Sequence, residues 1–236
     1  MLYIKKFDNN ENMERYIKNN FVSPHLFLET QNKSLSYLEK YKRLEYISST
    51  QTGGQYINTG DLLFEEVADI NIQIKYKIKG PGLICNTEDD RLFYTIFSCM
   101  YEAYPWPGIV LRILDRNGYH ERSNQSNNTN PKINDLAYNS DINNIVELSY
   151  SFAINNDGVH NIPVYLFTSL NEYFNLQRMA EADLYYVKYY KNGNCVRNLI
   201  PVQRNSDNEV GLWDMEHQVF YTSQGDQPFV AGNIIE

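Results

Sequence analysis

The 236-residue sequence predicts a mainly β protein folded as a β-sandwich. Three observations predict it. From Leu184 to Gly232 the chain is a series of β-rich runs parted by turn residues. Asn71 to Lys79 alternates polar and apolar side chains over nine positions, the pattern of a half-buried strand. Asn-Gly and Asp-Gly pairs at 117–118, 157–158 and 192–193 supply turns between such runs.

Taken in order, residues 1–40 form a separate small α+β unit of β-α-β-β pattern. Leu2–Phe7 reads as a short strand. Asp8, Asn9 and Asn10 offer helix N-caps, with Glu11 and Glu14 favourably placed against the helix dipole. Met13, Tyr16 and Ile17 then make one narrow apolar stripe at i, i+3, i+4 spacing. Leu26–Leu28, which includes Phe27, and Ser34–Leu38 read as two further strands. A unit this small cannot build its own core, so Met13, Tyr16, Ile17 and Phe27 are expected at an attachment or oligomer interface.

From Arg43 the period is that of strands, and residues 43–236 read as one sandwich domain. Expected strands are Leu44–Ser48, Gln55–Thr59, Asp69–Lys79, Phe93–Met100, Ile109–Asp115, Tyr119–Arg122, Ile145–Ala153 and Val164–Leu170. Glu121–Asn144 is long, polar and rich in Asn, and reads as a surface loop or contact arm. The closing hairpin turns at Asn192-Gly193, which needs φ > 0 at both turn positions. A plain two-residue turn places Tyr189 opposite Val196, Val187 opposite Asn198 and Tyr185 opposite Ile200. Arg197 and Leu199 then fall on the other face, and Tyr185, Val187, Ile200 and Trp213 read as core. A second hairpin turns at Asp214–His217.

Composition excludes several functions. A net charge of −8 argues against a nucleic-acid backbone as partner. No segment approaches the ~20 apolar residues of a membrane-spanning helix. The N-terminal residues lack the apolar core and cleavage site of a signal peptide, which predicts a protein made in a cytoplasm that stays there or leaves by another route. Cys85, Cys99 and Cys195 are odd in number and widely spaced, and read as reduced thiols rather than a disulfide or zinc framework.

Two strings carry a resemblance. RLEYISSTQTGGQYINTG (Arg43–Gly60) and the series from LYYVKYYKNG through VRNLIPVQR to EVGLWDMEHQVFYTS (Leu184–Ser223) resemble the opening and closing segments of laminin-G/concanavalin A-like jelly-roll modules of tailed phages and prophages of gut Bacteroidetes. YIKKF (Tyr3–Phe7) with the helix and turn after it is similar to N-terminal modules of structural proteins from such phages, the crAss-like group among them. The resemblance implies a jelly-roll sandwich and a non-enzymatic virion component, such as a capsid decoration, head-fibre or tail-associated subunit. It implies virion proteins and further copies of the chain as partners, a trimer being the expected oligomer, and assembly in the host bacterial cytoplasm. A soluble lectin-like carbohydrate-binding module is the alternative, and a glycoside hydrolase the third reading.

Each chemical reading has a plainer competitor. A hydrolase of concanavalin-like type needs two carboxylates about one glycosidic bond. Glu181-Ala182-Asp183 and Asp214-Met215-Glu216 are the nearest strings, and both read more simply as solvated strand-end and turn charges. No catalytic residue is therefore assigned. Glu88-Asp89-Asp90 reads as an acidic loop, and no metal site or cofactor is expected. His25, His120, His160 and His217 lie on expected turns and strand ends without an acid partner at diagnostic spacing. The ligand candidates are Tyr101, Tyr104 and Trp106, in a Pro- and Gly-bearing loop at the sandwich rim. Their rings could stack on a bacterial surface glycan, or plug the sandwich end and seal a contact.

Overall fold

The computed structural model describes residues 39–81, 93–99, 101–102, 110–114, 119–122, 143–154, 161–171 and 173–236. By internal packing the chain divides into two compact units, Met1–Tyr41 and Lys42–Glu236. The expected β-α-β-β elements, with Met13, Tyr16, Ile17 and Phe27, lie outside the described residues, as do the acidic string at 88–90 and most of the segment 121–144.

The strands run in chain order as β1 (Tyr41–Arg43), β2 (Ile47–Ser48), β3 (Ile57–Asn58), β4 (Ala68–Pro81), β5 (Phe93–Ser98) and β6 (Tyr101–Glu102). They continue as β7 (Val110–Leu114), β8 (Tyr119–Arg122), β9 (Val146–Ile154), β10 (Tyr165–Leu166), β11 (Ser169–Asn171) and β12 (Leu176–Gln177). The closing series is β13 (Ala180–Lys191), β14 (Asn194–Arg204), β15 (Val210–Asp214), β16 (Phe220–Thr222) and β17 (Val230–Ala231). The chain is thus mainly β.

Among the described residues the sheets are mainly antiparallel, with parallel pairing of β6 with β11 and at the bridge Thr95–Met179. β13 is the spine of the largest sheet. It pairs along its length with β4, which pairs in turn with β9. On its other edge β13 pairs first with β2 and then with β14. A second sheet has the order β3-β10-β5-β7-β8 and a third β12-β11-β6. The arrangement is consistent with a β-sandwich.

The core follows from the alternation. Ile70, Ile72, Ile74, Tyr76 and Ile78 of β4 are buried on one face. Ala182, Leu184, Val187 and Tyr189 of β13 join them, with Ile57, Phe97 and Leu166 from the second sheet. Each such Ile, Leu or Val contributes roughly 1.5–3 kcal/mol by leaving water.

Two departures from simple strand periodicity shape the domain. The expected strand Val164–Leu170 is split at Phe167, which is fully buried with φ of 67°, a left-handed conformation unusual for an aromatic residue. The residues before it enter the second sheet and those after it the third. Phe167 N donates to Ile96 O at 2.9 Å, and its carbonyl accepts from Ala180 N at 3.1 Å. Those bonds give the kinked backbone its partners.

The second departure is a β-bulge in the closing hairpin. Lys191 pairs with Asn194 and Tyr190 with Cys195 as expected, but Tyr189 pairs with Arg197 and Val187 with Leu199. Val196 is the extra residue. Because side chains alternate, one inserted residue moves all that follow to the opposite face. The expected pairing of Tyr189 with Val196 and Val187 with Asn198 is therefore corrected. Arg197 and Leu199 share the inward face with Tyr189 and Val187, whereas Tyr185 and Trp213 are only half-buried. Of the four expected core residues, Val187 and Ile200 are buried.

Candidate functional site

The bulge creates the most densely charged site among the described residues. It turns the Arg197 guanidinium inward beside Tyr189. The chain leaving β3 brings Thr59 and Asp61 to the same point, after a turn at Gly60 whose φ of 79° favours glycine. Asp61 Oδ1 lies 2.6 Å from Arg197 Nη2. The Tyr189 hydroxyl donates to Asp61 Oδ2 and lies 3.1 Å from Thr59 Oγ1.

Asp214, at the end of β15, completes the cluster and is fully buried. Its Oδ2 is 3.4 Å from Arg197 Nε and 2.9 Å from His217 Nδ1. Its Oδ1 accepts from the backbone N–H of Asn198 at 3.2 Å and of Glu216 at 3.0 Å. His217 Nδ1 is also 2.5 Å from Arg197 Nη1. That one ring nitrogen can donate to the carboxylate or accept from the guanidinium, but not both.

Electrostatics follow from this geometry. Burial works against the Arg197 charge, yet Asp61, Tyr221, Tyr189 and Asp214 hold its pKa above the ordinary value. Burial pushes the Tyr189 phenol well above its usual range, and the charge and hydrogen bond of Asp61 push it further. The cluster is built to hold charge in place. Its two carboxylates are bridged by one cation, an arrangement that ties the segment after β3 to the β14–β15 hairpin.

A second buried carboxylate, Asp183 of β13, behaves similarly. Its Oδ1 accepts from Ser48 Oγ at 2.5 Å and pairs with Lys79 Nζ at 2.8 Å. Next to it Ser49 Oγ donates to Ala180 O at 2.6 Å and accepts from Ala182 N at 3.0 Å. Gln55, also buried, receives Thr50 N–H on Oε1 and donates through Nε2 to Pro228 O at 2.9 Å. Ser48, Ser49, Gln55, Thr59 and Asp61 all come from the opening string or the residue just after it. Most of their partners come from β13 and β14, in the closing series. The two strings form one stitched unit.

The sequence candidates fall in different places. Tyr101 lies in β6, its backbone beside Leu170 of β11. Tyr104 and Trp106 lie outside the described residues. Asp183 and Asp214, expected as solvated charges, are buried and ion-paired. His217, expected to lack an acid partner, sits on Asp214. No simple motif marks this cluster, because Arg197 and Asp61 meet only through the bulge. Cys99 and Cys195 form no disulfide among the described residues, and burial first, then Glu216, raises Cys195 to about 11. Among the described residues no group of three or more His, Cys, Asp or Glu is placed to hold a metal ion, and no helix is long and apolar enough to cross a membrane.

The outward face of the same sheet offers a different feature. An open recess of about 740 Å³ lies where β4, β9 and β13 run side by side. Asn71, Gln73, Ser151 and Tyr190 line it, with Asp69 and Gly193 also in the lining.

Comparison with family models, with curated proteins and with solved structures finds no match to this chain. The class that the fold and site define is a mainly β protein of antiparallel sheets whose buried charges are paired.

Proposed function

We propose that this chain is a non-enzymatic structural and recognition protein of a tailed-phage particle. In this reading residues 43–236 form a laminin-G/concanavalin-like jelly roll presented outward. Residues 1–40 form the small attachment and oligomerisation module, and the partners are other virion proteins and further copies of the chain. The observation that carries it is the stitching of the opening string and the residue after it to the closing string, through the pairing of Ile47 with Leu184 and the contacts of Thr59 and Asp61 with Tyr189 and Arg197. Those strings carry the resemblance to phage modules, and their bonding makes them interdependent parts of a scaffold. The ion pairs of Asp61, Asp183 and Asp214 support the non-enzymatic part, since each carboxylate is already committed to a cation. Native mass measurement of the full chain, with sedimentation against purified particles, tests the proposal. A trimer that binds particles is expected, and a stable monomer that ignores them overturns it.

A soluble lectin-like module is the second reading. The uncharged polar and aromatic side chains Asn71, Gln73, Ser151 and Tyr190 in the recess favour it, and glycan binding without any association with particles would decide for it.

A further inference from the structure

We propose that the recess on the outward face of β4, β9 and β13 is a binding site for a neutral sugar. The inference rests on the reading of this face as a recognition surface and names the ligand class it takes.

The floor is rigid and its polar groups are pre-oriented. Asn71 stands between Ser151 of β9 and Tyr190 of β13, directly paired with each. Gln73 Nε2 donates to Asn71 Oδ1 at 3.2 Å, and Asn71 Nδ2 donates to Ser151 Oγ at 2.8 Å and Tyr150 O at 3.3 Å. The chain of donors therefore runs in one direction. It ends on a serine hydroxyl that keeps a proton to give and begins on a glutamine whose Oε1 keeps lone pairs to accept. Vicinal hydroxyls of a pyranose each donate and accept, so they suit such a pair of ends. Groups held by one another on three paired strands lose little freedom when a ligand arrives.

The remaining features select against charged ligands. Tyr190 supplies an aromatic wall suited to the C–H face of a sugar ring. Burial, then the nearby Cys195 and Glu216, raises its pKa and keeps the phenol neutral. Among the described residues no cation lines the recess. Lys191, next to Tyr190, is held by Glu65 at 3.1 Å and Glu66 at 2.9 Å. The Asp69 carboxylate in the lining would repel an acidic sugar. The volume lies within the about 300–1,000 Å³ of small-molecule sites.

The test is titration of the ¹⁵N-labelled full chain with methyl glucoside, methyl galactoside and methyl N-acetylglucosaminide, with glucuronate as the charged control. Saturable shifts of the Asn71, Gln73, Ser151 and Tyr190 signals are expected with at least one neutral sugar. Affinity should fall about tenfold in Tyr190→Ala and in Gln73→Ala, the scale of losing one well-placed contact. Melting curves of both variants should match the parent, because these side chains lie outside the core. Unmoved signals with every neutral sugar, equal affinity in the variants, or tighter binding of glucuronate each overturn the proposal. If sugars fail while the chain still binds particles, the recess inference falls and the virion reading stands. If both fail, both fall.

Discussion

The two faces of the β4–β13 sheet handle polar groups in opposite ways. Inward, Asp214 is fully buried and meets a guanidinium, an imidazole and two backbone N–H groups. Outward, Asn71, Gln73 and Ser151 are neutral, joined by hydrogen bonds, and half-buried or exposed. Desolvation accounts for the difference. A buried ion without a partner costs several kcal/mol, so inward charges must arrive in sets, whereas water can serve whatever the outward groups leave unpaired. Outward ion pairs carry less weight. Lys75 and Glu147 stand 3.8 Å apart with Glu147 well exposed, a type of pair worth about 0–1 kcal/mol. The inner face is a fastening, and the outer face is the one to which the proposed sugar site belongs.

The sharpest way to break that contrast is Arg197→Ala, which leaves both Asp61 and Asp214 without their cation. The loss should exceed that of removing either carboxylate alone, because two inward charges are stranded together. Urea unfolding measures it. Deleting Val196 is the contrasting change: it removes the bulge, keeps the Asn192-Gly193 turn and leaves Arg197 opposite Tyr189, so the ion pairs and cooperative folding should survive. An Arg197 variant that melts like the parent would show that the inward ion pairs do not fasten this sheet.

Next in size is Asp214→Ala, which leaves Arg197 without its fully buried partner. The expected cost is about 3–5 kcal/mol, the range for breaking a buried pair from one side. Urea unfolding measures it. The triple variant Arg197→Met, Asp214→Leu and Asp61→Asn should recover much of the loss, because it removes the three ions together. Glu147→Ala on the outward face should stay within about 1 kcal/mol of the parent. Equal losses at Asp214 and Glu147 would erase the distinction between the faces.

Much of the scaffold was legible in the residue pattern, and the site was not. The alternation from Asn71 to Lys79 located β4, and Asn192-Gly193 located the hairpin, because both signals are local. Phe167 carries no local mark of its left-handed backbone. Its conformation is imposed by bonds to Ile96 and Ala180, from other strands. Val196 likewise looks like any strand valine. Reading through it with an uninterrupted period of two put Arg197 and Leu199 on the wrong face, and reading through a separate register shift between Leu184 and Tyr186 of β13 promoted Tyr185 to the core. Trp213 was placed in the core for a different reason, its position in a family-like string, and is half-buried. One signal was available in retrospect. An arginine that follows Val196 and stands two residues before Leu199, with an aspartate that ends the neighbouring strand, suggests a paired inward charge. Asp61 could not have been added, since it approaches from a different part of the chain.

The smallest effect at ordinary pH appears only under alkaline conditions, and it separates the faces again. Burial raises the Tyr76 phenol strongly and, with Asp61, raises Tyr189 well above its ordinary 10.0. On the outward face burial, then the hydrogen bond and charge of Glu147, pushes Tyr186 from 10.0 up to about 12. Below pH 10 all are protonated in both folded and unfolded chains, and their contribution to stability is fully present. Above pH 10 the unfolded chain releases protons that the folded one retains, so stability falls as pH rises. Tyr186 has given up its share once pH passes about 12, while Tyr76 and Tyr189 keep the slope falling beyond that. Phenolate absorbance should therefore rise in two steps: a reversible one from outward tyrosines in the folded sheet, and a later one that coincides with loss of β-sheet circular dichroism. A single step near pH 10 with the sheet intact would mean that Tyr76 and Tyr189 are reached by water, and that the inward face is less closed than its ion pairs require.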